Sequence, residues 1–171
     1  MRIARVRALI FVCALALIAG VATAWAVRSD SQQDYSTDRC ESGDIEISLA
    51  IPDTEDISLI ILNGTDQSGL ADQAAQQLEE RGFNVVDVGD SEERNETPAI
   101  IYSGPETFGA GLHAWAYFHG GRSEFSLDYD QEAVTIILGS RFQQVKTESD
   151  ARLTFATRDR ITAPEGTCSI E

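Results

Sequence analysis

The chain contains an unbroken apolar segment that is long enough to cross a membrane. Residues 8–27 (ALIFVCALALIAGVATAWAV) include no charged side chain. At about 1.5 Å per residue, these 20 residues make roughly 30 Å of helix, which matches the hydrocarbon core of a bilayer. We therefore predict a single transmembrane helix at 8–27 that acts as an uncleaved signal anchor.

The charges on either side of this segment predict its orientation. Three arginines lie within residues 1–7, whereas Arg28 and then mainly acidic residues follow the segment. Because basic residues are retained on the cytoplasmic side, we expect residues 1–7 in the cytoplasm and the rest outside it. A cleaved secretory signal is the alternative, since Ala22-Thr23-Ala24 is an acceptable cleavage site. Both alternatives export the remainder of the chain.

The exported part is strongly acidic. When the three arginines of residues 1–7 are set aside, 10 of the 13 basic residues remain against all 28 acidic ones, a net charge of −18. Such a surface repels nucleic acid and anionic lipid headgroups, so we expect no nucleic-acid partner. The charge either keeps an exported domain soluble or attracts a cationic ligand.

Two cysteines bracket the exported part. Cys40 and Cys168 lie in a compartment where disulfides persist, so we expect them to form a bond that closes a loop of about 128 residues. Two free thiols or an intermolecular bridge are the alternatives. The bond would tie a C-terminal extension, residues 143–171, back to the polar tether at 28–44. Between them we predict a domain at 45–142.

Hydrophobic periodicity in that domain predicts alternating strands and helices. Runs of β-branched residues indicate strands, and apolar residues at helical spacing indicate helices. The expected α+β fold is a two-layer α/β sandwich whose order is strand, helix, strand, strand, helix, strand, strand (βαββαββ). The bounds are 57–62, 68–81, 83–88, 98–102, 106–119, 122–129 and 133–138.

A weak internal repeat predicts how these elements pack. The segments 60–64 (IILNG) and 100–104 (IIYSG) are 40 residues apart, and a helix and a strand follow each. Two such units predict a ferredoxin-like split β-α-β with an added fifth strand. Because several strands are apolar on both faces, we expect a cover opposite the helices, made by residues 45–51 and by the stretch that contains Leu153, Phe155 and Ile161.

Strand direction brings several loops to one end of the predicted sheet. Strands 57–62, 83–88 and 133–138 point the same way, and the other two point back. Ser68 is expected to cap the first helix, where backbone N–H groups could cradle an anion. A tight strand-to-helix connection is the alternative. The candidate binding loop residues are Asn63, Gly64, Thr65, Ser68, Arg94 and Arg141.

The search for catalytic and metal-binding motifs is negative. His113 and His119 are six residues apart, a poor spacing for shared metal ligation on one helix. The acidic pairs Glu79-Glu80 and Glu92-Glu93 are typical of solvated faces rather than of an acid/base pair. We therefore expect a protein that is not an enzyme and holds no metal or cofactor.

The stretch ISLIILNGTDQSGLADQAAQQLEERGFNVVDVG, followed by IIYSGPE and VTIILGSRF, carries a family resemblance. It resembles the C-terminal domain (LytR_C) of the LytR/CpsA/Psr envelope proteins over about residues 57–142. In those proteins a separate domain transfers glycopolymers, so the resemblance implies no catalytic residue here. The layout of anchor, early cysteine, domain and late cysteine is similar to the actinobacterial envelope integrity proteins called Cei.

Three functional hypotheses follow from these observations. The first is a membrane-anchored module that supports the integrity of the cell envelope and binds cell-wall glycan or an envelope-assembly protein. The second is an enzyme, or an accessory of glycopolymer phosphotransfer or hydrolysis in the cell wall. The third is a structural domain that oligomerises through the edge of its sheet.

Overall fold

The computed structural model describes residues 40, 43–158 and 161–169. Within these residues no helix has the length and apolar character needed to span a membrane. The cytoplasmic start predicted at 1–7 and the transmembrane helix predicted at 8–27 lie outside the described residues.

The order of elements in the predicted domain is the expected one. The described residues form strands and helices whose bounds differ from the predicted ones mainly at their ends. They are β1 (Ile45–Ile47), a 3-10 turn (Thr54–Asp56), β2 (Ser58–Asn63), α1 (Leu70–Glu79), β3 (Asn84–Asp90), β4 (Ala99–Ser103), α2 (Phe108–Ala116), β5 (Arg122–Phe125), β6 (Val134–Leu138), α3 (Glu148–Ala156) and β7 (Thr167–Ser169).

The main sheet has five strands in the order β3-β2-β6-β4-β5. Strand β2 pairs in parallel with both β3 and β6, and β4 pairs in parallel with β5. The two groups meet where β4 runs antiparallel to β6. The predicted strand directions are therefore confirmed.

The ferredoxin-like split β-α-β arrangement is wrong, although the broader α+β class is correct. In a split unit another strand separates the two strands joined by a helix, whereas here both units are adjacent parallel pairs and β6 lies between them. Strand β6 (VTIIL) is buried at every position except Thr135, which is partly buried. Strand β3 carries exposed Asp87 and Asp90. An apolar strand gains most at the centre of a sheet, and charges suit an edge.

Helices α1 and α2 cover one face of this sheet. The five apolar residues predicted to form the inner stripe of α1 are all buried, which confirms the periodicity argument. They join the central strands in the main hydrophobic core, where Leu59 and Ile61 of β2 are fully buried. The buried stripe comprises Leu70, Ala71, Ala74, Ala75 and Leu78.

The segments expected to cover the opposite face of the sheet pack on helix α2 instead. Ile47 forms a second apolar cluster with Phe108 and Leu112 of α2. Gly109 of α2 lies so close to residue 50 that a Cβ atom there would be 2.0 Å from the carbonyl oxygen of Ala50. The C-terminal helix α3, which periodicity did not predict, contacts α2 as well. Glycine and alanine on α2 leave room for this additional layer.

A small second sheet holds the two ends of the described domain together. Strand β1 pairs in parallel with β7, with Glu46 opposite Cys168. Cys40 and Cys168 form a disulfide with a Cα–Cα distance of 5.2 Å. The intramolecular pairing is therefore the alternative that the structure contains.

Candidate functional site

The predicted loops do meet at one end of the main sheet. Asn63 accepts a backbone hydrogen bond from the N–H of Ser91, and the N–H of Gly64 donates to the carbonyl of Leu138 at 2.8 Å. The N–H of Ser140 donates to the carbonyl of Asn95 at 3.1 Å. These bonds join the three loops that follow β2, β3 and β6.

The side chain of Asn63 is buried and closes the first loop. Its Nδ2 donates to the carbonyl of Gln67 at 2.9 Å and to Asp90 at 3.4 Å. Its Oδ1 accepts from the backbone N–H of Thr65 at 3.1 Å and from the Thr65 hydroxyl at 2.8 Å. The loop is therefore held by its own hydrogen bonds, which favours the tight connection over the anion cradle.

Ser68 does not cap the first helix. Gly69 occupies the N-cap position with a positive φ of 77°, and no side chain accepts a hydrogen bond there. Ser68 is exposed one residue earlier. The helix starts at Leu70, two residues later than predicted.

The two arginines of the candidate binding loop are exposed and lie near carboxylates. Arg94 is 3.7 Å from Asp66 and also donates to the carbonyl of Ser91. Arg141 is 3.8 Å from Glu96. The loops around them also carry Asp90, Glu92 and Glu93, so this end of the sheet has more acids than bases. The structure thus gathers the predicted residues in an acidic setting, and ligand binding by them stays a prediction.

Glu93, in the loop after β3, is oriented by a tyrosine on strand β4. The hydroxyl of Tyr102 donates to the Glu93 carboxylate at 3.0 Å. Burial, and then the hydrogen bond to Glu93, raises the pKa of Tyr102 above its ordinary value. The phenol therefore stays protonated at neutral pH and keeps one carboxylate directed at the sheet.

Replacing Asn63 by alanine is expected to lower the free energy of unfolding by about 2 kcal/mol, because buried partners lose their hydrogen bonds. Asn84→Ala is the matched control, since the exposed side chain of Asn84 bonds only Ser58, at 3.2 Å, among the described residues. Its expected effect is below about 0.5 kcal/mol. Urea denaturation followed by circular dichroism measures both. Equal effects would contradict a structural role for Asn63.

The two histidines lie in separate recesses, as their spacing predicts. His113 lines a cavity beside the 3-10 turn, and His119 lines a shallow groove beside Arg141. The part of the chain that the structure describes contains no group of three or more metal-ligating side chains. Nothing in these positions brings the histidines together as ligands.

Sequence reasoning missed the cavity around His113. It has a volume of about 390 Å³ and lies between the 3-10 turn, Gly82 after α1, helix α2 and helix α3. The His113 ring is 5.9 Å from Tyr117 and 5.7 Å from Phe155. Its Nδ1 is 2.8 Å from the carbonyl oxygen of Pro52. A carbonyl only accepts, so Nδ1 carries the hydrogen.

Tyr117 forms the inner wall of this cavity. The residue is 2% exposed, and within the described residues its hydroxyl has no hydrogen-bond partner. Burial raises the pKa of the phenol, the negative charge of Glu148 raises it further, and Arg81 and Arg152 act in the opposite direction. The hydroxyl is thus a neutral group that is free to meet a ligand.

The comparisons with known proteins agree with the predicted resemblance. Residues 56–142 match the family model described as LytR cell envelope-related transcriptional attenuator (LytR_C). No curated protein matches the chain. The fold is similar to the soluble domain of a conserved hypothetical secreted protein (Rv2700 ortholog) from Mycobacterium marinum, at a TM-score of 0.53 and 15% identity over 66% of this chain and 76% of that chain. A secreted neighbour is consistent with the predicted Cei-like layout.

Proposed function

Because this chain belongs to the LytR cell envelope-related transcriptional attenuator family, we propose that it is a membrane-anchored extracytoplasmic module that supports cell envelope integrity. It binds cell-wall glycan or an envelope-assembly protein and does not catalyse a reaction. Family membership is the observation that carries this proposal, because the family model matches residues 56–142, which make up most of the exported domain.

The disulfide supports an extracytoplasmic location. Cys40 and Cys168 are bonded, and structural disulfides persist mainly in oxidising compartments. The bond also joins the tether to β7.

The inward hydrogen bonding at the sheet end supports binding rather than catalysis. Asn63 and Thr65 bond one another and nearby backbone, and Arg94 and Arg141 pair with carboxylates on the surface. Groups that are committed in this way hold a rigid surface for recognition. A nucleophile or general base instead needs a free reacting atom in a cleft.

The proposal is tested with the full chain in its native membrane. A reporter fused after Glu171 is expected to be active only outside the cytoplasm. After detergent extraction, the chain is expected to pellet with isolated cell wall or to form a crosslink to an envelope protein. A chain ending at Asp44, which keeps the anchor and the whole tether, is the matched control and is expected to do neither.

Two outcomes would overturn the proposal. Reporter activity restricted to the cytoplasm would remove the envelope location. A full chain that behaves like the control in both the pelleting and the crosslinking experiments would remove the binding role.

A further inference from the structure

We propose that the cavity between the 3-10 turn and helix α3 binds a primary alkylammonium group, such as the end of a lysine side chain. The inference rests on the proposed function for its setting, an exported binding module, and names the chemical group that this module recognises. The cavity is lined by Asp53, Glu55, His113, Tyr117, Glu148 and Phe155, among others.

The inner walls of the cavity are aromatic. The rings of Tyr117 and Phe155 both lie near the His113 ring, at 5.9 and 5.7 Å between ring centroids. Phe83 supports them from behind, 5.0 Å from Tyr117 in an edge-to-face arrangement. The faces of aromatic rings attract cations, and their apolar surface suits the methylene stem of an alkylammonium group.

Two groups in the cavity, carried by the His113 and Tyr117 side chains, can accept a hydrogen bond. With the Nδ1 hydrogen directed at Pro52, Nε2 is the acceptor in the neutral tautomer of His113, and it has no partner among the described residues. The Tyr117 hydroxyl, on a residue that is 2% exposed, is likewise unpartnered there. An ammonium group has three donors and no acceptor, so it complements this set.

The cavity is lined by three carboxylates, those of Asp53, Glu55 and Glu148, and by one arginine, Arg152, so its lining has an excess of negative charge. Arg152 is already paired with Glu148 on the same helix. Asp53 and Glu55 have no ion-pair partner in the part of the chain that the structure describes, and both are exposed at the mouth. The net charge of −18 on the exported part attracts cations over a longer range.

The volume of the cavity limits the size of the ligand. At about 390 Å³ it is near the lower end of the range for small-molecule sites. One extended side chain with its amide groups fits such a space. A sugar polymer would extend beyond it.

The test is to titrate the full chain in detergent with a probe and to monitor the NMR signals of the His113 ring. The probe is Nα-acetyl-lysine-N-methylamide, and the neutral comparison is the norleucine analogue, which keeps the alkyl stem. We expect saturable shifts with the lysine amide and an affinity at least about tenfold weaker for the norleucine amide. Equal affinities would overturn the proposal, because an apolar pocket alone would then explain binding.

Two sets of variants locate the interaction. Asp53→Asn/Glu55→Gln is expected to lower the affinity of the chain for the lysine amide about 3- to 10-fold, because the rim loses both charges. The matched pair Asp87→Asn/Glu132→Gln removes two exposed carboxylates that do not line this cavity. An equal loss in both pairs would overturn the site in favour of a general charge effect. Phe155→Leu should lower the affinity for the lysine amide but not the affinity for the norleucine amide.

The result is separable from the proposed function. A full chain that pellets with cell wall but shows no shift with the lysine amide overturns the ammonium site and leaves the binding module in place. If the His113 ring signals shift with the lysine amide but the chain neither pellets nor crosslinks, the site stands and the proposed function fails. Where both succeed, release of the chain from cell wall by the lysine amide assigns the ammonium group to the wall, and retention assigns it to a protein.

Discussion

Replacing Cys40 and Cys168 by serine is expected to lower the free energy of unfolding by about 4–5 kcal/mol. The bond joins residues 128 positions apart and therefore restricts almost the whole exported chain in its unfolded state. In the chain-entropy model the stabilisation grows with the length of the closed loop, so this bond lies at the upper end of the range. The free energy of unfolding of native proteins is about 5–15 kcal/mol in total, so this loss is a large part of it.

The loss has a structural side as well. Strands β1 and β7 pair over three residues each, which is too short to persist alone. Without the bond, β1, whose Ile47 packs on helix α2, should separate first. Hydrogen exchange should therefore quicken at β1 and β7 before it does in the main sheet.

Urea denaturation of the full chain in detergent measures the stability of the double variant. Cys13→Ser is the matched control, because Cys13 lies in the predicted anchor and is not part of the bond. It should leave the midpoint unchanged. A double variant whose midpoint equals that of the control would show that the clasp contributes nothing to stability.

Local patterns were sufficient to predict the elements and their directions. The inner stripe of α1 follows directly from helical spacing, because each of its five residues is apolar at a position facing the sheet. Directions followed from connectivity, since a helix between two strands in one layer requires them to be parallel. The loops after β2, β3 and β6 therefore had to meet at one end.

The order of the strands depended on information that periodicity does not contain. The sequence shows that β6 is apolar on both faces, but a repeat of two β-α-β units favours placing it at the outside. Its central position follows from comparing its burial with that of β3, whose acids tolerate an edge. The local spacing of residues describes one strand at a time, so it does not show which strand lies at the centre of the sheet.

The candidate site was predicted in position but not in chemistry. The places of Asn63, Arg94 and Arg141 followed from strand direction. Their hydrogen bonds depend on how three loops close on one another, which involves residues up to 74 positions apart. The cavity at His113 was missed for a similar reason, because α3 has little amphipathic pattern and its docking on α2 creates the space.

Replacing Leu78 by alanine is expected to lower the free energy of unfolding by about 3–5 kcal/mol. Leu78 is fully buried and lies where α1 meets the central strands. The substitution removes its contacts and leaves a cavity that the surrounding sheet cannot fill. Removing the same atoms from Leu153, which is 61% exposed on α3, should change stability by less than about 0.5 kcal/mol.

This pair tests which of two sequence expectations the molecule follows. Periodicity placed Leu78 in the core, whereas Leu153 was expected to help cover the sheet because several strands are apolar on both faces. The structure agrees with the first and contradicts the second, because α3 turns Leu153 toward solvent. Comparable losses from Leu78→Ala and Leu153→Ala in urea denaturation would mean that α3 packs through the face that carries Leu153. The cavity beside His113 would then lose the wall that Phe155 provides.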